Sequence, residues 1–195
     1  MEQNKSQKEN ILNVPNALTF SRIIITFLIV FFIFADFPIS YIVIAFVVGM
    51  LTDFFDGQIA RRFNQKTEFG RQFDMVADRF LMILVALSAM IKLSIMGALS
   101  HSQIFQIFLV VSREIVASPI IFAAMVFGKG IPIPQVRFIG KFTTTLQAIT
   151  FPMILLGIYY DFFRISIYFA VLTSLIGIVS GFYFIHDVRK LMYKN

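Results

Sequence analysis

Long apolar runs alternate with short polar segments along the whole chain. The runs cover residues 17–35, 41–60, 73–96, 103–127, 138–159 and 162–185. Each approaches or exceeds the ~20 residues that a helix needs to cross a bilayer. The pattern predicts an all-α protein, an integral membrane bundle of six transmembrane helices. Asp36-Phe37-Pro38 closes the first run. A polar segment, residues 1–16, precedes it, and no small-residue cleavage site follows, so the first run does not read as a signal peptide. No internal repeat, low-complexity tract or domain boundary stands out, and 1–195 reads as a single membrane domain.

Composition supports the lipid reading. Hydrophobic residues make up 58% of the chain and charged residues 14%, with a mean hydropathy of +0.81. A soluble domain is nearer half apolar and a quarter charged, so an ordinary cytosolic enzyme, a disordered tail and a disulfide-stapled secreted module are all excluded. Cysteine is absent, which removes disulfides, thiolate nucleophiles and sulfur-ligated zinc. The net charge of +6 fits basic loops facing an anionic leaflet and gives no reason to invoke nucleic acid. Lysine and arginine fall almost entirely on one side. The exceptions are Lys92 and Arg164 on the other side, and Arg79 and Arg113 inside predicted spans. This asymmetry predicts cytoplasmic termini, with the second-to-third and fourth-to-fifth loops also in the cytoplasm. It makes the chain a multi-pass protein of the cell membrane.

The acidic residues depart from this pattern. Four of the 11 are Asp53, Asp56, Asp74 and Asp78. Asp53 and Asp56 share a face of the second helix at i, i+3, and Asp74 and Asp78 share a face of the third at i, i+4. The short loop between these helices predicts that they are antiparallel neighbours whose pairs face each other at the cytoplasmic end. One Asp at the centre of a membrane helix costs roughly 2.5–3.5 kcal/mol, and four together add mutual repulsion. Basic partners could offset this, with Arg79 and the loop arginines as candidates. A divalent metal does so more fully. An all-oxygen ligand set favours Mg²⁺ or Mn²⁺, and two ions would form a clamp suited to phosphoryl transfer. Gly57 admits close approach of a ligand to the backbone, Ala60 leaves space, and Arg61 offers a planar fork to a phosphate.

The stretch Asp53-x2-Asp56-Gly57-x2-Ala60-Arg61-x8-Gly70-x3-Asp74-x3-Asp78 resembles the signature of the CDP-alcohol phosphotransferases at all eight fixed positions. Asn13-Val-Pro-Asn16-Ala-Leu-Thr19 with Arg22 resembles the opening of bacterial phosphatidylglycerophosphate synthases and the related cardiolipin synthases. Ser112-Arg113-Glu114 and Gly140-Lys141 resemble later blocks of the same enzymes. The resemblance implies that Asp53, Asp56, Asp74 and Asp78 bind metal, and that Asp78 is also the base that deprotonates the acceptor hydroxyl. It implies that Asn16, Thr19, Gly57, Ala60, Arg61, Thr67 and Gly70 meet the CDP-linked lipid. Arg113, Arg137 and Lys141 would hold the acceptor's phosphate, and a homodimer is expected. Two positions depart from the synthases. Ile121 stands where a second arginine is common, and Thr143 where a second lysine is common. Both bear on the acceptor and neither on the aspartates.

The leading expectation is transfer of a phosphatidyl group from CDP-diacylglycerol to a phosphorylated alcohol, with sn-glycerol 3-phosphate the first candidate. Phosphatidylglycerol, as in a cardiolipin synthase, and an inositol phosphate are the alternatives. A cation transporter is the reading from another class, because intramembrane acids often mark ion paths. Clustering of the acids at one membrane face disfavours it. Glu114 is expected to pair with Arg113 and orient it. Gly177-x3-Gly181 reads either as a helix-packing motif or as the ordinary glycine of membrane helices.

Overall fold

The computed structural model describes residues 14–62, 68–127 and 138–192. For 14–15, 53–62, 68–69, 71–72, 116–117, 119–127 and 191–192 it gives the helix but not the side chain. Six long helices occupy these segments: α1 (Val14–Phe34), α2 (Ile39–Arg62), α3 (Glu68–Ile95), α4 (His101–Phe127), α5 (Phe138–Leu156) and α6 (Ser166–Met192). One 3₁₀ turn, Asp161–Ile165, leads into α6. The helices match the predicted runs to within a few residues, except that α6 begins after the 3₁₀ turn and extends further toward the C-terminus.

Among the described residues, three helical stretches are both long and apolar enough to cross a membrane: Asn16–Phe34, Phe138–Leu156 and Asp161–Lys190. The part of α2 whose side chains are described includes the apolar stretch Ile39–Thr52. The aspartates, Arg79, Arg113 and Glu114 lie on α2, α3 and α4.

The helices form two similar halves. In the first, α1 packs extensively on both α2 and α3, while α2 and α3 touch little. Arg22 of α1 meets Asp74 and Asp78 near the start of α3, and Asp36 just beyond α1 meets Lys92 near its end at 2.9 Å. The two helices therefore run in the same direction, and the two sets of ion pairs lie about 20 Å apart along them at 1.5 Å per residue. The expected α2–α3 neighbours do meet, as at Gly49 and Leu81, but each packs far more extensively on α1. A short loop constrains only where two helices end, and the third helix decides how they pack.

In the second half, α6 packs on both α4 and α5. The hydroxyl of Ser166 donates to Gln106 at 2.6 Å, and Thr150 and Thr173 share a hydrogen bond at 3.0 Å. The halves meet through α3 on α4 and α2 on α5, where the rings of Phe46 and Phe151 lie 5.0 Å apart. The core joins Ile29, Phe46, Leu81, Val85, Ile107 and Phe151. Gly49 permits the close approach of α2, since a Cβ there would stand 2.8 Å from Leu81 Cδ1 and 3.4 Å from Ile25 Cγ2.

Polar residues join the apolar core, and large apolar side chains cover the outside. Thr19, Arg22, Thr26, Thr143, Gln147, Thr150 and Thr173 are buried, whereas Phe20, Phe27, Phe31, Tyr168, Leu175 and Phe182 face outward. Interior hydrogen bonds then hold the helices together while lipid solvates the outer phenylalanines.

Candidate active site

The site begins on α1. Thr19 and Arg22 lie three residues apart on one buried face, and Thr26 continues it, its hydroxyl donating to the Arg22 carbonyl at 2.8 Å. Arg22 is 1% exposed. Its Nη1 lies 2.8 Å from Asp74 Oδ1 and 2.6 Å from Asp78 Oδ1, and its Nε reaches Thr52 Oγ1 at 3.4 Å. Thr52 in turn donates to the carbonyl of Gly49 at 2.6 Å. One guanidinium therefore ties α1 to α2 and α3. The helical period makes this possible, since Asp74 and Asp78 are one turn apart on the face that α3 turns toward α1.

In the sequence Arg22 stands in the N-terminal motif and among the cations of the cytoplasmic side, with no further role. The one signal it carries is a full charge inside the first apolar run, which fits either a partner inside the bundle or the interface outside. Arg79 is a second correction. It was a candidate partner for the aspartates, yet its Nε lies 3.5 Å from Glu114 Oε2 on α4, and its Nη1 donates to the carbonyl of Met75 at 2.7 Å. Consecutive helix residues point about 100° apart at 3.6 residues per turn, so Asp78 and Arg79 face different neighbours.

Asp53, Asp56, Gly57, Ala60 and Arg61 all lie on the last turns of α2, immediately after Thr52. Their side chains are outside the described set. Asn16 stands one turn before Thr19, and Gly70 one turn before Asp74. Both take part in further interactions. Thr67 and Arg137 lie outside the described residues. The helices thus gather the whole motif, apart from Thr67, at the end of the bundle where α1 and α3 begin and α2 finishes.

The acceptor candidates divide. Arg113 is largely buried; its Nη1 lies 3.4 Å from Thr144 Oγ1 and 3.5 Å from Glu114 Oε1. Lys141 is exposed, one turn before Thr144 on α5. A Cβ at Gly177 would stand 3.4 Å from Arg113 Cβ and 3.5 Å from Thr143 Cγ2, so this glycine makes room for Arg113, while Gly181 faces open space. Thr143, at the second departure from the synthase pattern, is buried and bonds the carbonyl of Ile139 at 2.8 Å. The expected Glu114–Arg113 pair is present, and Glu114 also takes Arg79 and accepts from Gln147 Nε2 at 3.2 Å.

This donor set fits a hard divalent cation. Four carboxylates belong to the motif, and the cation seen bonded to them among the described residues is Arg22, with Arg79 drawn off by Glu114. Carboxylate oxygens are the donors that Mg²⁺ or Mn²⁺ takes.

Comparison with known proteins agrees with this geometry. The sequence profile of the CDP-alcohol phosphatidyltransferase family matches residues 12–179. A protein of Wigglesworthia glossinidia brevipalpis named CDP-diacylglycerol–glycerol-3-phosphate 3-phosphatidyltransferase is 30% identical over 185 residues, covering 88% of this chain and 94% of its own. Proteins of the same name from Salmonella paratyphi A and Rickettsia typhi are 34% and 31% identical, covering 83% and 74% of this chain and 88% and 77% of their own. With the profile spanning both the aspartate motif and the Arg113–Lys141 region, the chain belongs to the CDP-alcohol phosphatidyltransferase family.

Proposed function

We propose that this protein transfers the phosphatidyl group of CDP-diacylglycerol to the hydroxyl of sn-glycerol 3-phosphate, giving phosphatidylglycerophosphate and CMP. The observation that carries the reading is the convergence of α1 and α3, with Asp74 and Asp78 held side by side on Arg22 at the end where α2 delivers Asp53 and Asp56. The printed names of the relatives support the choice of acceptor.

Asp53, Asp56, Asp74 and Asp78 would hold one or two Mg²⁺ or Mn²⁺ ions. When bound, such ions supply counter-charge for the pyrophosphate and the leaving CMP. Asp78 takes the proton of the acceptor hydroxyl. The freed oxygen attacks the phosphorus that bears the diacylglycerol, its bond to the CMP oxygen breaks, and the proton passes from Asp78 to solvent. Asn16, Thr19, Gly57, Ala60, Arg61, Thr67 and Gly70 are assigned to the CDP-lipid, and Arg113, Arg137 and Lys141 to the acceptor phosphate. The basic asymmetry supports six spans in the cell membrane, with both termini and the site on the cytoplasmic side. The family resemblance supports a homodimer.

The test is CMP release by purified protein with CDP-diacylglycerol across a panel of acceptors. Glycerol 3-phosphate should support turnover, a chelator should abolish it, and either Mg²⁺ or Mn²⁺ should restore it. Turnover with phosphatidylglycerol and none with glycerol 3-phosphate would replace this reading with a cardiolipin synthase. Full turnover in excess chelator, with no metal bound, would remove the metal from the mechanism.

A further inference from the structure

Glu114 is the meeting point of three helices. It is 5% exposed, and its carboxylate is shared. Oε2 lies 3.5 Å from Arg79 Nε on α3, and Oε1 lies 3.5 Å from Arg113 Nη1 on its own helix. Gln147 of α5 holds it from the far side, with Nε2 donating to Glu114 Oε1 at 3.2 Å and to the carbonyl of Val110 at 2.8 Å. Arg79 Nε is buried and, among the described residues, makes no hydrogen bond, so the ion pair with Glu114 is what restrains that edge of the guanidinium.

The two arginines that share this carboxylate serve different partners. Arg79 directly follows Asp78. Asp78 points to Arg22 on α1 and Arg79 to Glu114 on α4, so α3 is gripped on two sides by ion pairs at consecutive residues. Rotation of α3 about its axis would break one pair or the other, and the Glu114 grip thereby fixes the direction of Asp78. Arg113 is the buried guanidinium assigned above to the acceptor phosphate. A carboxylate that restrains both sets the spacing between the group that takes the hydroxyl proton and the group that holds the phosphate of the same small molecule.

We propose that Glu114 is a positioning residue that registers the Asp78 helix against Arg113. This deepens the function proposed above and rests on it. Positioning and charge balance make opposite predictions for a pair of variants. Glu114→Gln leaves two arginines without a counter-charge. Adding Arg79→Met returns the cluster to its original net charge but does not restore the link from α3 to α4.

The experiment measures kcat, both KM values and the thermal midpoint of purified protein in detergent. Glu114→Gln should raise the acceptor KM and lower kcat, together costing about a hundredfold in kcat/KM, the scale of a misplacement near 1 Å. The KM for CDP-diacylglycerol should stay within about twofold, as expected for a contact that the CDP-lipid does not make. Glu114→Asp should recover part of the loss. The double variant Arg79→Met/Glu114→Gln should regain the thermal midpoint and remain impaired in acceptor KM and kcat. Recovery of acceptor kinetics by the double variant would overturn the proposal and leave Glu114 as a neutralising charge. Equal effects on both substrates' KM would overturn it as well. The split is read with whichever phosphorylated acceptor the wild-type protein turns over, so inactivity toward glycerol 3-phosphate alone would count against the proposed reaction and not against Glu114.

Discussion

Arg22 donates to two carboxylates and a threonine from a position with 1% exposure, and no other described side chain bonds both Asp74 and Asp78. Arg22→Met should destabilise the metal-free protein by about 3 kcal/mol, the lower end for breaking a buried ion pair, because the two aspartates are partly exposed. Mg²⁺ should recover much of that loss, since it supplies the counter-charge that methionine lacks. Thermal unfolding in detergent, with and without Mg²⁺, checks both statements; a loss that Mg²⁺ leaves unchanged would mean the arginine only packs. Asp78→Asn should lower turnover by about 10²–10⁴, as loss of a general base does, while equilibrium binding of the CDP-lipid is retained. At this scale the aspartates were legible because membrane helices so rarely carry acids. Arg22 was not, since an arginine near the end of a span has two fates, a partner inside or the interface outside, and one strand of sequence does not distinguish them.

At the scale of the helix, spacing predicted which residues share a face but not which helix each face would meet. The i, i+4 relation of Asp74 and Asp78 held, and among the described residues Arg22 of α1 is their shared partner. The Gly177-x3-Gly181 pattern shows the same limit. A helix-packing motif predicts that both glycines meet a neighbouring helix, yet only Gly177 does, and what it meets is the stem of Arg113 and the methyl of Thr143. Gly177→Leu should therefore press on Arg113 and raise the acceptor KM about tenfold, within the hundredfold that small displacements can reach. Gly181→Leu, facing open space, should change neither KM. Steady-state kinetics on the pair of variants separates them, and equal effects would show that α6 matters only as a packing surface.

Over the whole molecule, the number and placement of helices were readable from apolar runs, because lipid requires each crossing to satisfy its backbone internally. Their arrangement as two similar triplets was not, since it depends on buried pairs such as Thr150–Thr173 and Ser166–Gln106 that look like ordinary polar residues in sequence. The exposed turn at Gly97, between α3 and α4, is the covalent link between those triplets, and a side chain there would meet nothing within 4 Å. The protein is in this sense two parts joined by a tether. Cutting the gene at Gly97 and co-expressing the fragments should give spontaneous reconstitution of CMP release, with the Arg79–Glu114 pair acting as the recognition code between them. Reversing that pair, Arg79→Glu on one fragment and Glu114→Arg on the other, should then permit each altered fragment to recombine with its altered mate in preference to the native one.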